Sequence, residues 1–186
     1  MSRHSDKGFT IIELMLVVAV MGIMAMIALP AFNDMVQNNR RVSSVNDFLA
    51  SMHIARSEAI TRGQRVSVCR SNPSRTACVG AVGSWRDGWL VFSDLNGDGA
   101  INGDDEILST GGPLRGNFNM KSSEFTSHMT FQPSGRVRAS GGDNFGEMLL
   151  CEGDAAAATR VIIIERTGRP RIDTEVIGGG AGDCAS

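Results

Sequence analysis

The chain has 186 residues, of which 42% are hydrophobic and 20% are charged, and its formal net charge is −2. This length suits one elongated domain or a domain with an appendage, and the composition allows a packed core. The negative charge excludes a protein that is basic overall, so contact with nucleic acid would need a local cluster of cations. Sixteen of the 18 basic residues are arginine, whose planar side chain suits phosphate or carboxylate contacts, although biased genome composition would give the same excess.

The first thirty residues combine a short charged leader with one apolar run. Between Thr10 and Leu29 the only charged residue is Glu13. Twenty residues of helix rise about 30 Å, which is enough to cross the apolar core of a bilayer. A secretory signal or a plain membrane anchor would explain the apolar run. Neither explains a carboxylate near its start, which is costly in lipid unless it has a partner.

A helical pattern continues beyond Pro30. Apolar residues from Phe32 to Ala59 recur at helical spacing, and Gly63 is placed to cap the C-terminus. We therefore expect the helix to extend to about residue 63 and to lie with its apolar stripe against a sheet.

From residue 64 onward, short alternating segments separated by turn residues predict strands. They include "RVSVCR", "SWRDGWLVFSDL", "HMTFQPSGRVRA", "FGEMLLC" and "RVIIIERTGRPRI". One long helix followed by several short strands predicts an α+β fold with one or two antiparallel sheets.

Four cysteines follow the apolar run: Cys69, Cys78, Cys151 and Cys184. If that run is a membrane anchor, the cysteines face an oxidising compartment, where disulfides form. Three pairings are possible. We favour Cys69 with Cys78, which closes a short loop, and Cys151 with Cys184, which ties the glycine-rich tail to a strand end. A zinc site is the alternative, although no CxxC pair occurs.

The segment "DLNGDGAINGDD" resembles a calcium loop, because Asp94, Asn96, Asp98 and Asp105 fall at loop positions one, three, five and twelve. The twelfth residue is Asp instead of Glu, and the preceding "GWLVF" predicts a strand instead of an EF-hand helix. A polar hairpin tip built on Asn-Gly and Asp-Gly turns is the alternative. No nucleophile elbow or phosphate-binding loop occurs, so we expect neither an enzyme nor a cofactor.

Two segments share the pattern Gly-Arg-any-Arg: Gly135, Arg136 and Arg138 in one, and Gly168, Arg169 and Arg171 in the other. Residues two apart on an extended chain share one face and lie about 7 Å apart. Pro170 stiffens the second segment, so two guanidinium groups could contact two phosphates with little loss of entropy. The alternative is salt bridging to Glu165, Asp173 and Glu175, which are close in sequence.

The stretch "KGFTIIELMLVVAVMGIMAMIALP" resembles the N-terminus of type IV pilins and pseudopilins. The resemblance implies that a prepilin peptidase cleaves between Gly8 and Phe9, that the new N-terminus is methylated, and that Glu13 pairs with a neighbouring subunit's N-terminal amine during assembly. It divides the chain into a leader (1–8), a transmembrane and assembly half-helix (9–29), a periplasmic half-helix (30–63) and a β-rich head (64–186). It also implies a pilin-like fold and a single-pass inner-membrane protein with a periplasmic head that enters an extracellular pilus.

The segments "GWLVF", "FQPSGR" and the late cysteine are similar to those of the GspH/FimT family of minor pilins. Its FimT-like members carry Gly-Arg-any-Arg near the C-terminus and bind double-stranded DNA in natural transformation. The resemblance implies DNA contacts by Gly168, Arg169 and Arg171, with Arg136 and Arg138 secondary, and partnership with other minor pilins and the major pilin at a pilus tip. A structural tip subunit of FimU or GspH type, without DNA binding, is the alternative. A calcium-stabilised adhesin is a third interpretation.

Overall fold

The computed structural model describes residues 10–153, 160–173 and 184. One long helix, α1 (Ile11–Arg62), continues through Pro30. Its first turn is capped where the backbone N–H of Glu13 donates to the Thr10 hydroxyl. It stops before Gly63, whose φ of +64° suits a helix end.

The chain forms two compact units, which divide after Arg40. The first unit contains the start of α1, and its described apolar side chains are exposed except for that of Val36, which is half-buried. By length and composition, α1 is the one helix in the described part of the chain that could cross a membrane.

The second unit begins at Arg41, within the helix. From Ser44 and Val45 onward one face of the helix is buried, so this part of the helix belongs to the core of the second unit. Within the described ranges, nine strands follow it: β1 (Val66–Arg70), β2 (Trp89–Ser93), β3 (Ile107–Gly111), β4 (Phe118–Lys121), β5 (His128–Phe131), β6 (Val137–Ala139), β7 (Gly146–Glu152), β8 (Arg160–Ile164) and β9 (Pro170–Asp173).

The strands form two antiparallel sheets. The first sheet has the order β3-β2-β1-β5-β6, and the second has the order β4-β7-β8-β9. This confirms the predicted α+β fold. Strands β6 and β9, which carry the second arginine of each Gly-Arg-any-Arg segment, are edge strands of different sheets.

One core joins the helix to both sheets. Phe48 is fully buried and meets the rings of Trp85 and Trp89 edge to face, at centroid distances of 5.6 and 4.9 Å. Both indole N–H groups have acceptors: that of Trp85 donates to the Phe125 carbonyl, and that of Trp89 to the Ser51 hydroxyl.

Two disulfides link Cys69 to Cys78 and Cys151 to Cys184, which is the pairing favoured from the sequence. The first closes a loop beside β1. The second attaches Cys184 to β7, and the backbone carbonyl of Cys184 also accepts a hydrogen bond from the Lys121 ammonium group. With all four sulfurs in disulfides, no thiol is left for the zinc alternative.

Candidate nucleic-acid interface

The first Gly-Arg-any-Arg segment forms the β5–β6 hairpin. The Gln132 N–H donates to the Arg136 carbonyl, and the Gly135 N–H donates back to the Gln132 carbonyl, at 2.8 and 2.7 Å. Gly135 has a φ of +77°. A three-residue loop that ends in a glycine with positive φ is a common hairpin connection. Arg136 is therefore the first residue after the turn.

The second segment forms the β8–β9 hairpin with the same geometry. The Glu165 N–H donates to the Arg169 carbonyl at 3.2 Å, and the Gly168 N–H donates to the Glu165 carbonyl at 2.8 Å. Gly168 has a φ of +73°. Arg169 thus occupies the same position in its hairpin that Arg136 occupies in the other. The two segments are alike in structure as well as in sequence.

The two turns touch each other. A Cβ atom built on Gly168 would lie 2.1 Å from the Gly135 carbonyl oxygen, so only glycine allows this approach. The same carbonyl accepts a hydrogen bond from Arg56 Nε of the helix at 3.0 Å. Arg136 and Arg169, each next to one of these glycines, therefore start from neighbouring points of the backbone. The turns that precede edge strands β6 and β9 are therefore in contact, although the two strands belong to different sheets.

Arg138 lies on the outer face of the first sheet. Its strand neighbours Val137 and Ala139 are buried in the core, and Arg138 itself is exposed opposite Thr130 of β5. Arg136 is exposed too. Neither guanidinium group has an ion pair among the residues that the structure describes.

The second pair of arginines does not behave as a unit. Arg171 donates to Asp173 at 2.7 Å, and its Nε lies 3.6 Å from a Glu165 carboxylate oxygen. Arg169 is exposed and has no ion pair within the described ranges. The salt-bridge alternative considered from the sequence therefore applies to Arg171 and not to Arg169. Glu175, the third carboxylate considered, lies outside the described residues.

Two further arginines belong to this region and were not assigned to it from the sequence. Arg56 lies on the helix, and its Nε binds the carbonyl of the Gly135 turn. Arg166 lies in the loop of the second hairpin, exposed, with its guanidinium 5.2 Å from the centre of the Phe145 ring. A hairpin reading of "ERTGR" would have found Arg166, whereas nothing local predicts the contact of Arg56. We call Arg56, Arg136, Arg138, Arg166 and Arg169 the arginine surface.

The acidic loop after β2 is built around Asp94. This carboxylate is fully buried and accepts hydrogen bonds from the backbone N–H groups of Gly97, Asp98 and Gly99 and from the Ser67 hydroxyl. These four hydrogen bonds hold the loop against β1.

The other candidate calcium ligands are also engaged in the loop. Asp98 accepts from the Ala100 N–H and from the Asn96 and Asn102 amides, and these bonds lower its pKa, with the Ala100 bond the largest cause. Asp105 accepts from two backbone N–H groups. No group of three or more His, Cys, Asp or Glu side chains within the described ranges could hold a metal ion. The geometry is that of a hydrogen-bonded hairpin tip, and calcium binding stays an untested prediction.

His128 packs against the acidic loop at Gly99, where an added Cβ would overlap the imidazole ring. Burial lowers the pKa of His128 below its ordinary value and outweighs the charges of Asp94 and Asp98, which raise it. The unfolded chain therefore binds the proton more tightly than the folded one. Stability from this group is fully present above about pH 6.5 and is lost as the pH falls toward the folded pKa.

We expect the free energy of unfolding to fall less in His128→Gln than in the parent between about pH 7.5 and about pH 5.5. Denaturant titrations at both pH values measure this, and His53→Gln, on an exposed helix position, is the matched control. An identical pH dependence in the parent and in His128→Gln would contradict the result expected from burial.

The predicted assembly residue Glu13 is exposed in the first turn of α1. The predicted cleavage and methylation residues, Gly8 and Phe9, lie outside the described residues.

Comparison with known proteins agrees with this architecture. A family model for a prokaryotic N-terminal methylation motif matches residues 3–29, and the model for type II transport protein GspH matches residues 44–168. A fimbrial protein of Dichelobacter nodosus is 33% identical over 96 residues, which cover 52% of this chain and 56% of that protein. Fimbrial protein Q of Moraxella bovis is 45% identical over 47 residues, or 25% of this chain and 30% of that protein. The chain thus matches about half the length of the first of these relatives and less of the second.

Among solved structures, the type IV minor pilin FimU of Pseudomonas aeruginosa aligns with a TM-score of 0.56 at 20% identity, covering 80% of this chain and 97% of that one. At this identity the likeness concerns the fold. The GspH match, which covers more than half of the chain, and the N-terminal methylation motif together define a minor pilin or pseudopilin. The chain belongs to the GspH family.

Proposed function

We propose that this protein is a minor type IV pilin that binds double-stranded DNA without sequence preference, for uptake in natural transformation. Prepilin peptidase removes residues 1–8, and the segment 9–29 anchors the chain in the inner membrane with its head in the periplasm. Glu13 then pairs with the amine of a neighbouring subunit. The assembled subunit stands near the pilus tip among other minor pilins and the major pilin.

The observation that carries the DNA proposal is the contact between the two hairpins. It gathers arginines from two sheets and one helix on one local surface, although the chain as a whole is acidic. Guanidinium groups that contact backbone phosphates do not contact the bases. A surface of this kind therefore binds duplexes of any sequence.

Rigidity supports the same proposal. Gly135 and Gly168 fix both turns against each other, and Arg56 holds the Gly135 carbonyl. Arginines next to such fixed turns lose less conformational entropy on binding than arginines on a mobile loop. Arg171 contributes in a different way, because its charge is already balanced by Asp173 and Glu165, which hold the base of the hairpin.

The test compares Arg169→Gln with Arg171→Gln. The full mature chain in a maltoside detergent is titrated against two duplexes of unrelated sequence at low salt. We expect Arg169→Gln to weaken binding to both duplexes by roughly tenfold, since a hydrogen bond to a charged group is lost. Arg171→Gln should weaken it less, because Glu165 and Asp173 already occupy that guanidinium.

Circular dichroism checks that both variants remain folded. If Arg169→Gln is folded and binds DNA like the parent, the arginine surface is not a DNA interface. The chain is then better described by the structural alternative, a tip subunit of a pilus or of a type II secretion pseudopilus.

A further inference from the structure

A polar cavity of about 280 Å³ opens on the outer face of the first sheet, between the acidic loop and the β5–β6 hairpin. The side chains that matter for its chemistry are those of Arg65, Asn96, His128, Thr130, Arg138 and Ser140. No carboxylate lines it among the described residues. Its volume is at the lower end for ligand sites, which suits a small polar group better than a large organic molecule.

Arg65 is held in place on one wall of the cavity. Its Nη1 donates to the Leu95 carbonyl at 3.0 Å, and its side chain lies flat on Gly97, where a Cβ atom would come within 3.1 to 3.3 Å of it. The hydrogen bond uses one of the five N–H donors of the guanidinium group. The group is therefore oriented before any ligand arrives.

Three other polar side chains of the cavity already have partners within the protein. The Thr130 hydroxyl is bonded to Ser67, and the Ser140 hydroxyl donates to the Glu124 carbonyl. The Asn96 amide donates to Asp98. The charged donors left for a ligand are those of Arg65 and Arg138, and the uncharged amide of Gln132 lines the cavity beside them.

We propose that this cavity binds a phosphate group, as a monoester, a diester or the inorganic ion, between the guanidinium groups of Arg65 and Arg138. Guanidinium is the side chain best shaped for bidentate contact with phosphate oxygens. The charges of Asp94 and Asp98 belong to the neighbouring acidic loop and oppose an anion, but hydrogen bonds within the loop engage both carboxylates. The inference rests on the residues of the cavity and does not require the proposed DNA binding, although the cavity shares Arg138 with the arginine surface.

The phosphate has two possible sources. Arg138 belongs to both the cavity and the arginine surface, so a duplex lying on that surface could supply one of its own backbone phosphates. A small phosphate from solution would use the cavity alone.

The first arm of the test uses inorganic phosphate as the probe. The thermal unfolding temperature of the full mature chain in a maltoside detergent is followed as phosphate replaces chloride at constant ionic strength. A ligand that binds the folded state raises this temperature in proportion to its affinity. The parent and the control Arg169→Gln should show the same phosphate-dependent rise. Arg65→Gln and Arg138→Gln should each need about ten times more phosphate for an equal rise.

If the parent shows no rise, or if either cavity variant responds like the parent, the proposal is wrong. Arg138→Gln replaces an exposed side chain, so it tests the proposal even if Arg65→Gln loosens the acidic loop.

The second arm of the test titrates a short duplex. If DNA supplies the phosphate, Arg65→Gln weakens duplex binding and inorganic phosphate competes with the duplex in the parent. If the source is a small phosphate, Arg65→Gln leaves duplex binding unchanged while it still needs more phosphate than the parent for an equal rise. If Arg169→Gln loses DNA binding while the parent shows no phosphate-dependent rise, the proposed function is supported and the cavity proposal is rejected.

Discussion

Glu13→Ala should lower the amount of this chain in assembled pili by at least about tenfold, while cleavage of its leader continues. The carboxylate is the only charge described in the apolar part of α1, and it stands exposed in the first turn, where a neighbouring subunit can reach it. Without it, the partner's N-terminal amine would be left unpaired in lipid. Immunoblots of sheared pili against the membrane fraction measure incorporation.

Met15→Ala is the matched control, because Met15 is exposed on the same part of the helix and carries no charge. Intact mass should begin at Phe9 for the parent and for both variants. A normal amount of Glu13→Ala in pili would show that Glu13 has no assembly partner. A mature chain that starts near Ala31 would show an ordinary secretory signal instead.

Gly168→Ala should destabilise the head by a few kcal/mol and weaken DNA binding as well. The new Cβ would lie 2.1 Å from the Gly135 carbonyl oxygen, so one of the two turns has to move. A φ of +73° adds strain of about 1–2 kcal/mol for any residue with a Cβ. When the turns separate, Arg136 and Arg169 no longer start from neighbouring points. Denaturant unfolding and duplex titration measure the two effects.

Gly103→Ala is the control that measures backbone strain without a steric clash. Gly103 also has a positive φ, of +54°, but a Cβ there meets nothing within 4 Å. We therefore expect a loss of only about 1–2 kcal/mol and no change in DNA binding. Equal effects of the two alanine substitutions would mean that the contact between the turns contributes nothing.

Local patterns predicted much of the fold. The helix, the antiparallel strands and the cysteine pairing all follow from spacing and turn residues in short segments. The helix was predicted to end at about residue 63, and it ends at Arg62. Periodicity marks the end of an element, but it does not say which half of a long helix is buried.

The candidate site was predicted only in part, because its main contact is not local. Gly135 and Gly168 are far apart in sequence, and nothing in either segment shows that the two turns touch. The choice between Arg169 and Arg171 depends on which side chain reaches Glu165 and Asp173 in the folded hairpin. The acidic loop shows the same limit, since the spacing of a calcium loop is also compatible with a buried Asp94 that binds backbone amides.

The salt dependence of duplex binding tests the central claim most directly, since the claim is that Arg136 and Arg169 jointly contact phosphates. Each phosphate contact contributes about 0.9 to the slope of log Kobs against log salt concentration. The double variant Arg136→Gln/Arg169→Gln should therefore have a slope that is shallower than the parent's by about 2, with circular dichroism unchanged. A folded double variant with the parent's slope and affinity would contradict the claim that the joined hairpins bind DNA.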